Sequence, residues 1–133
     1  MLEPTLAGKS IGNFEGDFVI AEWTQEGCPP EGPMWVAPLH LHHKCDEAWY
    51  VLEGTLVVRC GEDDLVVPAG GCAVVPAGKA HTFWNPNPEP ARYLIVMTPL
   101  TARLIESIHT TTDRSPQGMS KLFEDHGAIL IGW

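Results

Sequence analysis

Glycine and proline interrupt this chain so regularly that its ordered elements must be short. The 133 residues include 13 glycines and 12 prolines, spread along the chain rather than gathered in one segment. Short apolar runs lie between them at a spacing of roughly ten residues, which is typical of an all-β sandwich or barrel. The sequence therefore predicts many short strands joined by turns.

The predicted strands fill the first two-thirds of the chain. Pro33 and Pro38 keep the second of them extended by blocking helix formation. Glu53 and Gly54 separate two further runs and predict a hairpin turn. We expect strands at residues 18–23, 34–42, 47–52, 55–59, 65–67, 73–75, 81–84 and 93–97.

The end of the chain changes to helical signals. Thr98 is a capping hydroxyl followed by a proline, and Ser115 repeats that pattern. Apolar residues then recur at helical spacing, and Gly127 suits a helix stop. The sequence predicts two short helices that cover one side or mouth of the barrel, followed by a final strand at residues 128–131.

Size and charge restrict the classes of protein to consider. A chain of 133 residues suits one domain, so we expect residues 1–133 to form a single unit. Eight basic and seventeen acidic side chains give a net charge of −9, which would repel a phosphate backbone. Nucleic acid is therefore excluded as an expected partner.

Neither a membrane nor an oxidising compartment is indicated. No apolar run approaches the roughly 20 residues that span a bilayer, and residues 1–12 lack the pattern of a signal peptide. The four cysteines form no C-x-x-C pair and predict simple thiols, although Cys45 lies only two residues before Glu47. We expect a cytoplasmic protein without a membrane partner.

Residues 38–47 concentrate side chains that bind metals. His40 and His42 are two residues apart on a strand, so they project to the same face, whereas His43 points away. The four residues after His42 can turn the chain so that Glu47 faces the same interior. Two imidazoles and a carboxylate are a normal ligand set for zinc, iron, nickel, copper or manganese.

A second segment offers a further imidazole. Gly70, Pro76 and Gly78 are backbone-shaping residues of the kind needed where a chain turns between strands, and His81 begins the strand that follows. If that strand lies beside the one with the first two histidines, His81 supplies a fourth ligand. His109 and His126 lie near predicted helix C-termini and are interpreted as structural.

These two segments resemble the two motifs of the cupin family. The first has His40-x-His42, four residues to Glu47 and six more to Gly54; the second has Gly70, five residues to Pro76, then Gly78, His81 and Asn85. One position departs from the family pattern, because Met34 stands where a glycine is usual six residues before the first histidine. The helical tail also resembles that of single-domain cupins described as quercetin-dioxygenase-like.

The resemblance implies a fold and a ligand set. The fold would be a double-stranded β-helix, or jelly-roll barrel, with its core at about residues 14–98 and a helical extension at about 99–127. His40, His42, Glu47 and His81 would bind one divalent ion of Fe, Mn, Ni, Zn, Co or Cu. The fold-forming positions would be Gly54, Gly70, Pro76, Gly78 and Asn85.

The same strand parity predicts the wall of a ligand pocket. If Glu47 faces inward, Trp49 and Val51 do too. If His81 faces inward, so does Phe83. No lysine or arginine shares that parity on these two strands, so the predicted pocket is apolar and suits a small aromatic or enol-type molecule. The alternative interpretation is that Trp49 and Phe83 only fill the core.

Three functions remain open at this point. The first is a metal-dependent dioxygenase for a small apolar enol, diol or diketone, with Glu47 both a ligand and a proton shuttle. The second is a non-catalytic module that binds or senses a small ligand on its metal. The third is a redox-neutral isomerase or lyase, since one fold hosts many chemistries.

We also predict a homodimer. Residues 14–23 are apolar and would lack a partner at a sheet edge, and open edges are usually paired or covered. Cupins of this appearance commonly dimerise by packing or exchanging such strands.

Overall fold

The computed structural model of the protein describes residues 1–3, 5–29 and 35–132. Within them, nine strands precede two helices and a tenth strand follows them. The strands are β1 (Ser10–Gly12), β2 (Val19–Gln25), β3 (Leu39–His42), β4 (Glu47–Glu53), β5 (Thr55–Cys60), β6 (Asp63–Pro68), β7 (Cys72–Val75), β8 (His81–Trp84), β9 (Ala91–Met97) and β10 (Ala128–Gly132). The helices are α1 (Pro99–Thr110) and α2 (Pro116–Asp125).

The strands form two five-stranded antiparallel sheets. Their orders are β1-β2-β9-β4-β7 and β10-β3-β8-β5-β6, so the chain passes repeatedly from one sheet to the other. Side chains from both sheets meet in one apolar core, which includes Val19, Trp49, Val51, Leu56, Val58, Phe83, Tyr93 and Ile95. This arrangement confirms the expected all-β fold, a double-stranded β-helix with two short helices near its end.

The strands predicted from the sequence correspond closely to those observed. Strand β8 begins and ends where the pattern placed it, and β10 was predicted within one residue. The expected extended piece at residues 34–42 is a strand only from Leu39, and Met34 itself lies outside the described residues. Strand β1 was not predicted, because three residues ending in glycine give no periodic signal.

The predicted hairpin at Glu53 and Gly54 is wrong. Strand β4 pairs with β7 and β9, whereas β5 pairs with β6 and β8 in the other sheet. The two residues therefore form a corner between sheets. Gly54 has a φ of 78°, and a Cβ atom there would lie 2.9 Å from the carbonyl oxygen of Pro90, so the corner needs a glycine. The local hairpin is instead β5–β6, in which Cys60 pairs with Asp63.

Both helices begin where the sequence indicated. The Thr98 hydroxyl accepts the backbone N–H of Thr101, and the Ser115 hydroxyl accepts that of Gly118. A small second core of Leu104, Met119, Phe123 and Ala128 joins α1, α2 and β10. Because β10 pairs with β3, this core attaches the helices to the strand that carries His40 and His42. Neither helix is long and apolar enough to cross a membrane.

The sheet edge expected at the N-terminal strand is covered. Every residue of β2 pairs with β9, and β1 pairs with Val19, Ile20 and Ala21 on the other side. The expectation of an unpartnered strand in this region is therefore wrong, since β1 was not foreseen. Phe14 and Phe18 remain exposed at 37% and 57%. The homodimer therefore remains a prediction, but an unpaired edge at β2 no longer supports it.

Candidate metal centre

Strand register brings the four predicted ligand residues together. His40 and His81 are direct cross-strand partners on β3 and β8, and His42 follows on the same face of β3. Glu47 opens β4 in the opposite sheet and faces them. All four side chains are buried, and one candidate ligand atom from each lies within 4.8 Å of the others. We call these four residues the ligand cluster.

Backbone carbonyls hold two of the imidazole rings. Nδ1 of His40 lies 2.6 Å from the carbonyl oxygen of Pro38, and Nδ1 of His81 lies 2.9 Å from that of Lys79. A carbonyl can only accept, so each Nδ1 carries the proton and donates it. The Nε2 atom of each ring is thereby left as the one that can bind a metal ion.

His42 has a different environment. Its side chain is only 2% exposed, and neither ring nitrogen has a hydrogen-bond partner within the described part of the chain. A buried polar atom without a partner costs about 1–3 kcal/mol. A metal ion at the ligand cluster would remove that cost for one of the two nitrogens by accepting its lone pair. Donor bonds of about 2.1 Å require ligand atoms within roughly 4 Å of one another, close to the separation that these four residues offer, so the cluster fits a single ion.

Glu47 and His81 form a buried pair. Oε2 of Glu47 is 2.9 Å from Nε2 of His81 and 3.9 Å from Nε2 of His42. Burial alone would raise the pKa of Glu47, but the hydrogen bond from His81 and the nearby imidazoles outweigh it and lower that pKa. Burial likewise opposes the charged form of His81, yet the carboxylate raises its pKa. Proton and metal ion therefore compete for the same nitrogen.

The other two imidazoles of the cluster favour their neutral form. Burial and the neighbouring His81 lower the pKa of His40 to about 4, and burial also lowers the pKa of His42. Neutral imidazole is the form that binds a metal. His40 and His42 are thus prepared as ligands at neutral pH without any change of protonation.

The remaining histidines and Cys45 lie apart from the cluster. His43 is exposed, as parity predicted, and His126 uses Nδ1 to bond the carbonyl oxygen of Leu122. The Cys45 thiol is buried and accepts a hydrogen bond from the hydroxyl of Thr98 at 3.1 Å. That contact gives Cys45 a structural partner at the start of α1.

A cavity of about 630 Å³ opens beside the ligand cluster. Its wall includes Trp49 and Phe83, as predicted, but not Val51, which is fully buried in the core. Val51 shares the inward parity of Trp49, yet two residues along a strand displace a side chain by roughly 7 Å. The predicted pocket wall is therefore corrected at this position.

Much of the cavity wall was not predicted from the sequence. Strand β9 contributes Tyr93 and Ile95, and α1 and α2 contribute a further group of side chains: Thr101, Leu104, Ile105, Ile108, His109 and Phe123. Arg114, in the loop between the helices, also lines it. The apolar spacing of α1 was a signal that one face is buried, but only tertiary packing shows that this face borders the cavity.

Asn85 has the structural role that its motif position implied. Its side-chain amide nitrogen donates to the carbonyl oxygens of Gln25, Glu26 and Glu89, and its Oδ1 accepts the backbone N–H of Asn87. The residue is 3% exposed. These bonds tie the end of β8 to the segments before and after it, and thus fix the strand that carries His81.

Known families and structures share this architecture. Residues 32–97 match the family model described as Cupin domain. The structure of TT1209 from Thermus thermophilus is similar with a TM-score of 0.53 and 29% identity over 62% of this chain and 73% of that one. A sugar phosphate isomerase from a cupin superfamily, from Silicibacter pomeroyi, gives a TM-score of 0.52 and 29% identity over 62% of this chain. This chain spans only 51% of that isomerase.

A more distant structure shows the fold alone. The salicylate 1,2-dioxygenase from Pseudoaminobacter salicylatoxidans has a TM-score of 0.54 but 15% identity, over 67% of this chain and 25% of that one. No curated protein matches the chain. The comparisons agree with the geometry on architecture and do not name a substrate.

Proposed function

The chain belongs to the cupin superfamily, and from that premise we propose that it is a metal-dependent, dioxygenase-like oxidoreductase for a small apolar or aromatic enol, diol or diketone. One observation carries the proposal: a buried set of three imidazoles and one carboxylate borders a largely apolar cavity, and His40, the unpartnered His42 and Glu47 line it. Buried ligands that open onto a cavity are typical of a catalytic rather than a structural metal.

The donor set suits several divalent ions. Imidazole and carboxylate ligands accept Fe, Mn, Ni, Zn, Co or Cu, so the residues alone do not select among them. An ion bound here would polarise a substrate oxygen and, if redox-active, would support chemistry with dioxygen. Four protein donors leave positions free for ligands that enter from the cavity.

Glu47 is the residue best placed to move a proton. Among the described residues that line the cavity it is the one carboxylate, and its Oε2 accepts a hydrogen bond from His81. A substrate hydroxyl that enters the ligand cluster would lose its proton on binding, and Glu47 would accept it. An ion bound at Nε2 of His81 would replace that hydrogen bond, so the ion rather than His81 would hold the carboxylate.

The wall of the cavity would bind the apolar body of the substrate. Trp49 and Phe83 pack together with ring centroids 5.4 Å apart, and Ile95, Leu104 and Ile105 extend the apolar surface. Such a wall excludes water from the cluster and favours flat or aliphatic groups over polyhydroxylated ones.

A redox-neutral isomerase is the second candidate. The observation in its favour is the 29% identity to a protein described as a sugar phosphate isomerase, although this chain spans half of it. A non-catalytic module that binds a small ligand on its metal is the third. Both would keep the same ligand cluster and would differ from the first in consuming no oxygen.

The test is a screen of defined metal forms. The protein would be loaded anaerobically with Fe(II), Mn(II), Ni(II) or Co(II) and mixed with aromatic enols, catechols and diketones. We expect at least one form to consume oxygen on an electrode and to yield an oxygenated product by mass spectrometry, and the His81→Ala variant to do neither. If no metal form consumes oxygen with a molecule that demonstrably binds, the oxygenase proposal is wrong, and product analysis then separates the isomerase from the binding module.

A further inference from the structure

Arg114 differs from the other arginines of the chain in having no acidic partner in the part of the chain that the structure describes. Arg59 pairs with Asp64, Arg92 pairs with Glu22 and Glu53, and Arg103 pairs with Glu15. Among the described residues, no carboxylate lies within ion-pair distance of Arg114.

Arg114 is also the only arginine or lysine among the described residues that line the cavity. It lies in the loop between α1 and α2, and its Nη1 donates to the carbonyl oxygen of Ile108 at 2.7 Å. That bond uses one of the five N–H donors of the guanidinium and holds the group at the end of α1. The remaining donors stay available to a molecule in the cavity.

The cavity therefore has two polar ends of different character. The ligand cluster is buried, with His42 only 2% exposed, whereas Arg114 is exposed and so lies on the solvent side of the cavity. His109, in the last turn of α1, lines the cavity as well and adds a second polar group on that side. Apolar side chains of α1 that line the same cavity, including Ile105 and Ile108, come before the helix end that Arg114 contacts.

We propose that Arg114 recognises a carboxylate on the cavity's ligand, which is then a small amphiphilic acid. Its chelating oxygens would lie at the ligand cluster, its apolar body against α1 and the inner sheets, and its carboxylate at Arg114. The position of the chelating oxygens rests on the proposed function, whereas the position of the carboxylate rests on Arg114 alone. A guanidinium binds a carboxylate through two parallel hydrogen bonds, which gives orientation as well as affinity.

Phosphate is the other anion that a guanidinium binds. The apolar wall of the cavity favours an aromatic or aliphatic acid over a sugar phosphate, whose hydroxyl groups would lose hydrogen bonds to water in contact with Ile105 and Ile108. The proposal therefore commits to a carboxylate on an apolar body.

A purely structural role for Arg114 makes a different prediction. A cation near the last carbonyls of a helix stabilises it, and the bond to Ile108 has this character. In that case the loss of Arg114 would lower the melting temperature and would affect all ligands equally. Discrimination between a charged and a neutral ligand would not change.

The test compares acids with their own amides. Catechols that carry a carboxylate at the end of an alkyl chain of increasing length would be titrated anaerobically into Zn(II)-loaded protein, beside the matching primary amides. Quenching of tryptophan fluorescence gives the dissociation constants. We expect the acid of best length to bind about tenfold more tightly than its amide. Arg114→Gln should remove that preference while leaving amide binding within about twofold.

Arg103→Gln is the matched control. It also removes one positive charge, but from a residue of α1 that does not line the cavity. It should retain the preference for the acid. Equal affinity of wild-type protein for acids and amides would overturn the proposal while leaving the chelating function intact. If acids bind in a way that depends on Arg114 and no amide binds, the role of Arg114 is supported. That result would contradict chelation of the ligand at the ligand cluster. If neither binds, or if glucose 6-phosphate binds more tightly than every acid, the proposed ligand class is wrong.

Discussion

The two ends of the cavity are built in different ways. The ligand cluster consists of His40, His42, Glu47 and His81 on three strands, all of them buried. Within the described residues, short hydrogen bonds hold every member except His42. The helical rim, which we define as α1, α2 and residues 111–115 between them, presents exposed groups such as His109 and Arg114. One end is fixed by sheet register, and the other by helices attached through a small core of their own.

This difference separates the residues that bind metal and perform chemistry from the residues that select the ligand. A cross-strand pair such as His40 and His81 allows little change in position, because both backbones belong to the same ladder. Loop residues such as Arg114 can change without disturbing a ladder. We therefore expect variants of the cluster to affect metal binding and turnover, and variants of the rim to affect ligand preference and stability.

The largest expected effect is on turnover in Glu47→Gln. The amide cannot accept the proton that we assign to Glu47, so kcat should fall about 1000-fold, while substrate affinity falls far less. Steady-state kinetics on the metal form that is active in wild-type protein would measure this. Glu106→Gln makes the same chemical change on the exposed face of α1 and should leave kcat unchanged. A similar loss in both variants would break the distinction between cluster and rim.

The next effect is the loss of metal in His81→Ala. Removing one of four donors should weaken metal affinity by at least about 100-fold, a loss larger than that for a residue that only orients a ligand. His43→Ala removes an exposed imidazole just after β3, and His109→Ala removes one from the rim. Both variants should bind metal like wild-type protein. Competition with a chromophoric chelator gives the constants. Equal retention in His81→Ala and His43→Ala would mean that the ligand set is wrong.

The two ends of the cavity also differ in how well the sequence predicts them. The cluster follows from strand parity and motif spacing, because a period of two places His40 and His42 on one face and His43 on the other. Strand alternation predicts which face a side chain is on but not how far along the barrel it lies. For this reason the sequence predicts Val51 on the pocket wall, although it lies in the core. The corner at Gly54 was interpreted as a hairpin, because a glycine turn between strands has the same sequence signal whether or not the strands pair.

The rim could be predicted only in part. Capping residues gave the helix starts at Thr98 and Ser115, since those signals are local. The contact between Phe123 and His40, with ring centroids 5.5 Å apart, depends on residues far apart in sequence. Arg114 gave no sequence signal, because a loop arginine in an acidic chain is most often a solvated surface residue.

A smaller effect is expected when pH is changed. The Glu47 carboxylate raises the pKa of His81, so His81 is the first imidazole of the cluster to take up a proton as pH falls. A metal ion must displace that proton, so metal affinity should be full above the pKa of His81 and decrease about tenfold per pH unit below it. His40, with its pKa lowered to about 4, should add a steeper loss only in stronger acid. Affinity for Zn(II) measured between pH 4 and 8 would test this, and a pH-independent affinity would contradict it.

The smallest expected effect is on the rim. Thr98→Ala removes the hydroxyl that caps α1 and should lower the free energy of unfolding by about 1 kcal/mol. Thr98→Ser keeps the hydroxyl and should lose much less. Urea unfolding followed by circular dichroism gives both values. Metal affinity should stay within about twofold of wild type in both variants, and a large loss of metal would show that rim and cluster are not independent.

The central claim is that His40, His42, Glu47 and His81 together hold one metal ion. Anaerobic titration with Co(II), followed by visible absorption and elemental analysis after desalting, tests it directly. We predict one tightly bound ion per chain in wild-type protein, and no stoichiometric ion in His40→Ala/His42→Ala, with both proteins folded by circular dichroism. A double variant that still binds one ion per chain with the same spectrum, or a folded wild-type protein that binds none, would contradict the account.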